Sequence, residues 1–319
     1  MSRTSVLVLL AAAMISPSPT PTLAAVGETG ARPNAAPAAP AKSGYVPVNG
    51  LRYYYEIHGE GEPLLLLHGG LGSISMFGPV LPALARSRRV VAVDLQGHGR
   101  TELGERPIRM PEIADDIAAV LEELGVERVD VLGYSFGGGV AFRLALQHPE
   151  RVRRAALVSA GFSRDGFFPD LLAMQAQVGA AMAEQMKETP MYKSYVAVAP
   201  KPEDFPRLLD RMGELMREPY DWSADVAKLA TLDVAVMLVY GDADMYRLEH
   251  VVRFYQLLGG GLRDAGWMRE NLSKNRLAIL PNRTHYDVFF APDLVTTVLP
   301  FLDGRTSVPT WDEQLGGGR

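Results

Sequence analysis

Cysteine is absent from this sequence of 319 residues. Its absence excludes disulfide bonds, thiolate metal sites and a cysteine nucleophile. Histidine is scarce, with six residues, and their spacing contains no H-E-x-x-H or H-x-H pair of the kind that favours a zinc site. We therefore expect chemistry that needs no metal ion.

Basic clusters and long apolar runs are missing as well. The 32 Lys and Arg and the 37 Asp and Glu residues are spread along the chain and give a formal net charge of -5, so we expect no nucleic-acid partner. No apolar run reaches the length of a stable membrane span. With 47% hydrophobic and 22% charged residues, the chain is expected to be a globular protein with one large core.

Two segments of different composition precede the part of the chain that predicts regular structure. Arg3, an apolar run over residues 6–15 and a small-residue cleavage zone together predict a signal peptide over residues 1–25, with export to the periplasm or secretion. Residues 26–43 are rich in alanine and proline and predict a linker. Beyond the core we expect residues 305–319 to form a C-terminal tail.

Short strands alternate with helices over most of the remaining chain. The dipeptide Asn49-Gly50 predicts a tight turn between two N-terminal strands, because both residues tolerate positive φ angles. Six almost uninterrupted apolar runs then predict strands buried on both faces of a parallel sheet. They comprise residues 63–67, 90–93, 129–132, 155–158, 234–240 and 277–280. Helical patterns between them predict an α/β core with helices on both faces of the sheet, made of residues 44–160 and 231–304.

Residues 161–230 interrupt this alternation and predict an inserted helical lid. The segment is rich in methionine, which adapts to varied apolar partners and suits the roof of a pocket for an apolar small molecule. Each methionine can equally be a core residue of the lid helices. The residues concerned are Met174, Met182, Met186, Met191, Met212 and Met216.

The hexapeptide Gly133-Tyr134-Ser135-Phe136-Gly137-Gly138 lies directly after a predicted strand and directly before a predicted helix. A serine on such a sharp turn needs small neighbours, and its hydroxyl then stands clear of the sheet. We therefore predict that Ser135 is a nucleophile. The Phe136 backbone N–H, at the start of the helix, is predicted to stabilise an oxyanion.

A serine nucleophile needs a base, and the base needs an acid that orients it. His285 follows the last predicted strand, as the base of such a triad does, whereas we expect His58, His148 and His250 to be solvated or capping residues. The acid should follow the strand over residues 234–240, where the sequence offers two carboxylates, Asp242 and Asp244. A second oxyanion donor should come from the loop after the first parallel strand, and the Gly70 N–H is our candidate. We take His68 in that loop as structural.

From about residue 45 to residue 302 the chain resembles the α/β-hydrolase superfamily. The resemblance is carried by His68-Gly69-Gly70, Asp94-Leu95-Gln96-Gly97-His98-Gly99-Arg100, the Ser135 hexapeptide, Gly241-Asp242-Ala243-Asp244 and Thr284-His285. It implies a mostly parallel eight-stranded sheet, a helical cap after the sixth strand and no cofactor. It also favours Asp244 over Asp242 as the triad acid and assigns the Asp94 loop a structural role.

Departures from the family pattern reduce the number of activities that we expect. Serine occupies the position where the haloalkane dehalogenases and epoxide hydrolases of the family carry aspartate, which argues against both activities. The segment of residues 259–268, between a predicted helix and the last predicted strand, is longer than most members of the family need. We expect it to border the pocket mouth.

The leading hypothesis is hydrolysis of an ester or similar acyl bond of a small-molecule substrate. Hydrolysis of a carbon–carbon bond, a lactone or a peptide, and cofactor-free perhydrolysis, could use the same triad. A ligand-binding or receptor protein with little turnover is the alternative from another class.

Overall fold

The structure is a computed structural model that describes residues 39–305. The predicted signal peptide, most of the predicted linker and all but the first residue of the predicted tail lie outside these residues. The linker prediction extends too far, because Lys42 and Ser43 already belong to the first strand, where they are paired with Ile57 and Glu56.

Eight strands form one sheet. They are β1 Lys42–Val48, β2 Leu51–His58, β3 Glu62–Leu67, β4 Arg88–Val93, β5 Val129–Tyr134, β6 Val152–Val158, β7 Ala235–Ala243 and β8 Arg276–Thr284. Their order in the sheet is β1-β2-β4-β3-β5-β6-β7-β8. The β1–β2 and β2–β4 pairs are antiparallel and the other pairs are parallel, so the predicted α/β fold with a mostly parallel eight-stranded sheet is confirmed.

The turn between β1 and β2 is the predicted one. Asn49 has φ 48° and Gly50 has φ 81°, the positive values that a tight hairpin turn requires. At the opposite end of the sheet, β8 is an edge strand. Ile279 is 41% exposed for that reason, so this strand is not buried on both faces as its apolar sequence predicts.

Helices cover both faces of the sheet. The α-helices of residues 39–305 are α1 Val80–Leu84, α2 Met110–Glu123, α3 Phe136–Gln147, α4 Pro169–Gln175, α5 Ala183–Met186, α6 Pro190–Val198, α7 Phe205–Arg217, α8 Ser223–Thr231, α9 Leu248–Leu257 and α10 Pro292–Leu302. Successive residues of β3 show the division between the faces. Leu65 and Leu67 belong to the core that contains α2, α3 and α9, whereas Leu64 and Leu66 belong to the core that contains α1 and α10. None of the helices within residues 39–305 has the length and hydropathy to cross a membrane.

The chain between β6 and β7 contains helices α4 to α8 and no strand. Helix α8 packs on α3 and α9, beside the sheet, because the Phe142 and Trp222 rings stack at 5.5 Å and Arg143 forms a 2.6 Å ion pair with Asp225. The predicted lid boundary at residue 230 therefore lies too late in the chain. Helices α4 to α7 cover the carboxyl end of the sheet, and we call them the lid.

Candidate active site

Ser135 occupies the sharp turn between β5 and α3. Its backbone has φ 52° and ψ -116°, a conformation that a residue with a side chain rarely adopts, and its N–H donates to the Val158 carbonyl at 2.8 Å. The turn is possible because its neighbours have no side chain. A Cβ on Gly133 would overlap the Gly137 carbonyl, and one on Gly137 would overlap the His68 carbonyl.

His285 lies directly after β8 and reaches Ser135 across the edge of the sheet. Its Nε2 atom is 3.0 Å from the Ser135 hydroxyl oxygen, and its Nδ1 atom is 3.1 Å from Asp244 Oδ1. A carboxylate only accepts hydrogen bonds, so Nδ1–H donates to Asp244 and Nε2 is left to accept from the serine hydroxyl. The Tyr134 hydroxyl donates to the His285 carbonyl at 2.6 Å and fixes the backbone that carries the imidazole.

Asp244 follows β7 and is nearly buried. The Ser159 hydroxyl donates to Oδ2, and the Met245 N–H donates to Oδ1 at 2.7 Å. Burial alone would raise the pKa of Asp244, but the charge of His285 and these hydrogen bonds together lower it. The carboxylate is therefore ionised at neutral pH and able to stabilise a protonated His285.

The second candidate acid points elsewhere. Asp242 is exposed, and its Oδ1 accepts a hydrogen bond from the Arg283 N–H at 3.3 Å. This hydrogen bond connects β7 to β8. The structure therefore brings Asp244, and not Asp242, to His285.

Two residues beside Ser135 carry the backbone N–H groups that we predict to bind an oxyanion. Gly70 and Phe136 both line the cavity above Ser135, and a Cβ added to Gly70 would be 3.8 Å from the Cβ of Phe136. Neither N–H donates a hydrogen bond to another group of residues 39–305. Two such N–H groups beside a nucleophile have the arrangement of an oxyanion hole.

Hydrogen bonds to buried polar side chains hold the loop that carries Gly70 in place. His68 is fully buried, with Nδ1 2.8 Å from the Gly69 carbonyl and Nε2 accepting from the Leu95 N–H at 3.0 Å. Asp94 accepts from the Ile74 and Arg100 N–H groups, both at 2.8 Å. These residues position the Gly70 loop and do not contact Ser135.

Of the three histidines predicted to be solvated or capping, His58 and His250 contradict that prediction. His250 is 5% exposed, because its ring stacks on Phe162 at 4.2 Å and its Nε2 accepts from the Phe162 N–H. His58 is also buried and lies 2.9 Å from Glu56. Only His148 is partly exposed, 2.8 Å from Asp115.

A cavity of about 390 Å³ opens onto Ser135 and His285. Four of the six lid methionines line it, whereas Met182 and Met186 are buried within the lid core. Methionines from outside the lid complete the wall, and no pattern in the sequence predicts them there. The methionines of the wall are Met76, Met110, Met174, Met191, Met212, Met216 and Met245.

Residues 259–268 do not line this cavity. They lie after α9 on the outside of the fold, where Trp267 is 76% exposed, so the prediction that they border the pocket mouth is wrong. Among residues 39–305, no group of three or more His, Asp or Glu side chains is arranged to hold a metal ion.

Comparison with known proteins relates this geometry to a family. Residues 62–244 match the family model described as alpha/beta hydrolase fold. The chain is 41% identical over 119 residues to 2-hydroxymuconate semialdehyde hydrolase from Pseudomonas sp. (strain CF600), a match that covers 36% of this chain and 42% of that protein. The match to this relative therefore spans less than half of its length.

Two solved structures are similar over most of the chain. Carboxylesterase CesB from Bacillus subtilis has a TM-score of 0.61 at 22% identity, and the match covers 82% of this chain and 92% of that one. The enol-lactonase from Burkholderia xenovorans LB400 has a TM-score of 0.61 at 20% identity, and the match covers 82% of this chain and 100% of that one. At these identities the likeness concerns the fold alone.

Proposed function

This chain belongs to the alpha/beta hydrolase fold family, and from that premise we propose that it is a serine hydrolase that cleaves an ester or a related acyl bond. One observation carries the proposal. His285 lies within hydrogen-bond distance of Ser135 through Nε2 and of Asp244 through Nδ1, beside two backbone N–H groups that have no other partner within residues 39–305.

The proposed mechanism gives each residue one role. Ser135 Oγ attacks the carbonyl carbon while His285 Nε2 takes the hydroxyl proton. Asp244, ionised and hydrogen-bonded to Nδ1, stabilises the imidazolium. The N–H groups of Gly70 and Phe136 hold the oxyanion. His285 then gives its proton to the leaving group, and water attacks the acyl-enzyme with His285 again as base.

A fluorophosphonate probe and p-nitrophenyl butyrate test the proposal. The expected result is stoichiometric labelling and a burst of p-nitrophenol, both abolished in Ser135→Ala. Ser194→Ala is the matched control, because Ser194 also lines the cavity but has no histidine partner within residues 39–305, so it should keep the burst. Labelling that persists in Ser135→Ala would overturn the assignment of the nucleophile.

Carbon–carbon bond hydrolysis on the same triad is a second candidate. It is supported by the 41% identity to 2-hydroxymuconate semialdehyde hydrolase. Turnover of 2-hydroxymuconate semialdehyde at a higher kcat/KM than p-nitrophenyl esters of several chain lengths would favour it. Saturable binding of either compound with turnover no faster than background would instead favour a binding protein.

Export is a separate proposal that rests on the composition of residues 1–25. Cell fractionation of the full chain should find it outside the cytoplasm with the first residues removed. A variant that lacks residues 6–15 should stay inside. An uncleaved full-length chain in the cytoplasm would contradict the proposal.

A further inference from the structure

One arginine faces the cavity above Ser135. Arg164 is the only Arg, Lys, Asp or Glu side chain among the described residues that line this cavity. It lies in a 3-10 turn, Arg164–Gly166, shortly after β6, and it is partly exposed. A cation that faces an otherwise apolar cavity loses hydration, and an anionic partner compensates for that loss.

No acidic side chain neutralises Arg164 within the described part of the chain. Its guanidinium forms no ion pair within 4.0 Å with any carboxylate of residues 39–305, although Asp165 is the next residue in the chain. The Asp165 carboxylate instead accepts a hydrogen bond from the Ser163 hydroxyl. The charge of Arg164 is therefore available to a ligand.

Two tyrosines connect Arg164 to the candidate catalytic centre. Tyr220 and Tyr246 also line the cavity, and the Arg164 N–H donates to the Tyr220 carbonyl at 3.0 Å. Burial and, to a smaller extent, the charge of Asp165 raise the pKa of the Tyr220 hydroxyl, while the nearby charge of Arg164 and a hydrogen bond from Tyr246 oppose that rise. The Tyr246 ring centroid lies 6.4 Å from that of His285. The Tyr220 hydroxyl is therefore within electrostatic range of Arg164 and hydrogen-bonded to Tyr246, whose ring is next to that of His285.

The rest of the lid wall offers no further charge among the described residues. Helices α4 to α7 contribute apolar side chains over most of the surface that faces Ser135. They include Leu171, Met174, Met191, Met212, Leu215 and Met216. A ligand that matches this wall has an apolar body, and a ligand that matches a single cation has one negative charge.

We propose that Arg164, together with the Tyr220 hydroxyl, binds a carboxylate of the substrate, so that the enzyme prefers acyl compounds with an apolar body and one free carboxylate. This inference rests on the proposed hydrolase function of Ser135. A planar guanidinium matches the two oxygens of a carboxylate, whereas a phosphate monoester carries a larger charge than one cation balances. Arg164 is a binding residue in this proposal and takes no part in the proton transfers.

A matched pair of esters tests the proposal. The p-nitrophenyl monoester of octanedioic acid has a free carboxylate, and p-nitrophenyl octanoate has the same chain length without one. In Arg164→Met, kcat/KM for the acidic ester should fall roughly 10- to 100-fold, mainly through KM, while kcat/KM for the octanoate stays within about threefold. In Arg164→Lys, kcat/KM for the acidic ester should fall less, because lysine keeps the positive charge but lacks the planar guanidinium that binds both carboxylate oxygens.

Arg247 provides a matched control for the charge alone. It donates to the Asp165 carbonyl, next to Arg164 in the chain, but it does not line the cavity. Arg247→Met should therefore keep the wild-type ratio of the two kcat/KM values. An equal loss on both esters in Arg164→Met, or an equal change of the ratio in Arg247→Met, would overturn the proposed carboxylate site.

A binding measurement separates this proposal from the hydrolase function. In Ser135→Ala, calorimetry should find octanoate bound more tightly than the neutral octanamide, and the difference should disappear in Ser135→Ala/Arg164→Met. This result needs no turnover, so it tests the Arg164 site even if no ester is hydrolysed. Equal affinities for octanoate and octanamide in Ser135→Ala, or a clear preference for octyl phosphate over octanoate that depends on Arg164, would contradict the assignment to a carboxylate.

Discussion

The Asp244 carboxylate is shared between His285 and Ser159. His285 Nδ1 contacts Oδ1 at 3.1 Å, and the Ser159 hydroxyl donates to Oδ2 from the carboxyl end of β6. Ser159 has φ 49°, and its N–H donates to the Val239 carbonyl on β7 at 2.8 Å. Ser159 is therefore a positioning residue that acts on His285 through Asp244.

Ser159→Ala should lower kcat by about tenfold and leave KM unchanged, because one hydrogen bond to a charged group is lost outside the substrate cavity. Steady-state kinetics with p-nitrophenyl butyrate measures both constants. Ser159→Gly also lacks the hydroxyl but relieves the positive φ, so it should be more stable than Ser159→Ala and equally slow. A normal kcat in either variant would remove Ser159 from the positioning of Asp244.

Asp244→Asn and Asp242→Asn should differ sharply. An amide at position 244 does not hold His285 in the tautomer that carries its proton on Nδ1. We therefore expect kcat to fall by about four orders of magnitude, as in other triads. The Asp242 carboxylate accepts from the Arg283 N–H on β8 and does not contact His285, so Asp242→Asn should keep most of the activity. Activity that survives in Asp244→Asn and is lost in Asp242→Asn would reverse the assignment.

The local turn chemistry of this chain is readable from the sequence. Gly133 and Gly137 around Ser135, the Asn49-Gly50 turn and the positions of the parallel strands follow from glycine spacing and apolar runs, and the structure has them where these patterns predict them, although the edge strand β8 is less buried than its sequence predicts. Asp244 cannot be separated from Asp242 on the residues alone. A register irregularity between Gly241 and Ala243 breaks the strand alternation that would otherwise fix which side chain faces His285.

Contacts between distant segments are not predictable in this way. Ser159 and Asp244 are 85 residues apart in the chain, and the segment that brings Arg164 to the cavity is paired with distant residues through the Ser163–Asp221 and Phe167–Tyr246 bridges. The sequence around His250 is typical of a solvated helix position, but the Phe162 ring covers this histidine. Such partners depend on how helices pack on the sheet, and helical spacing alone does not specify that packing.

Gly137→Ala should destabilise the protein far more than Gly125→Ala. A Cβ at Gly137 would overlap the carbonyl groups of Leu67 and His68, and neither backbone can move without displacing the Gly70 loop. Gly125 has φ 66°, but a Cβ added there would have no atom within 4 Å, so its replacement costs only about 1 kcal/mol of backbone strain. Urea unfolding of both variants measures the two costs. Equal losses of unfolding free energy would contradict the close packing inferred for the Ser135 turn.

Buried histidines should make the fold sensitive to acid. Burial lowers the pKa of His68 to about 3, and it lowers the pKa values of His98 and His250 to about 4. The folded state therefore disfavours protonation of these residues, while the unfolded chain accepts protons near pH 6.5, so stability is lost as pH falls from about 6.5 toward 4. Each histidine contributes up to about 1.4 kcal/mol per pH unit in this window.

Asp94 opposes part of this loss. Burial raises the pKa of Asp94 to about 6, so the folded state binds its proton more tightly than the unfolded chain does, and this contribution to stability grows as pH falls from 6 toward 3.8. With three histidines against one aspartate, we expect the free energy of unfolding to fall between about pH 6.5 and pH 4.5. His250→Phe, which keeps the stacking on Phe162 and Tyr246 but cannot titrate, should make the decline shallower. Urea unfolding at half-unit pH steps measures both slopes, and identical slopes for the two proteins would show that His250 is not a source of the acid sensitivity.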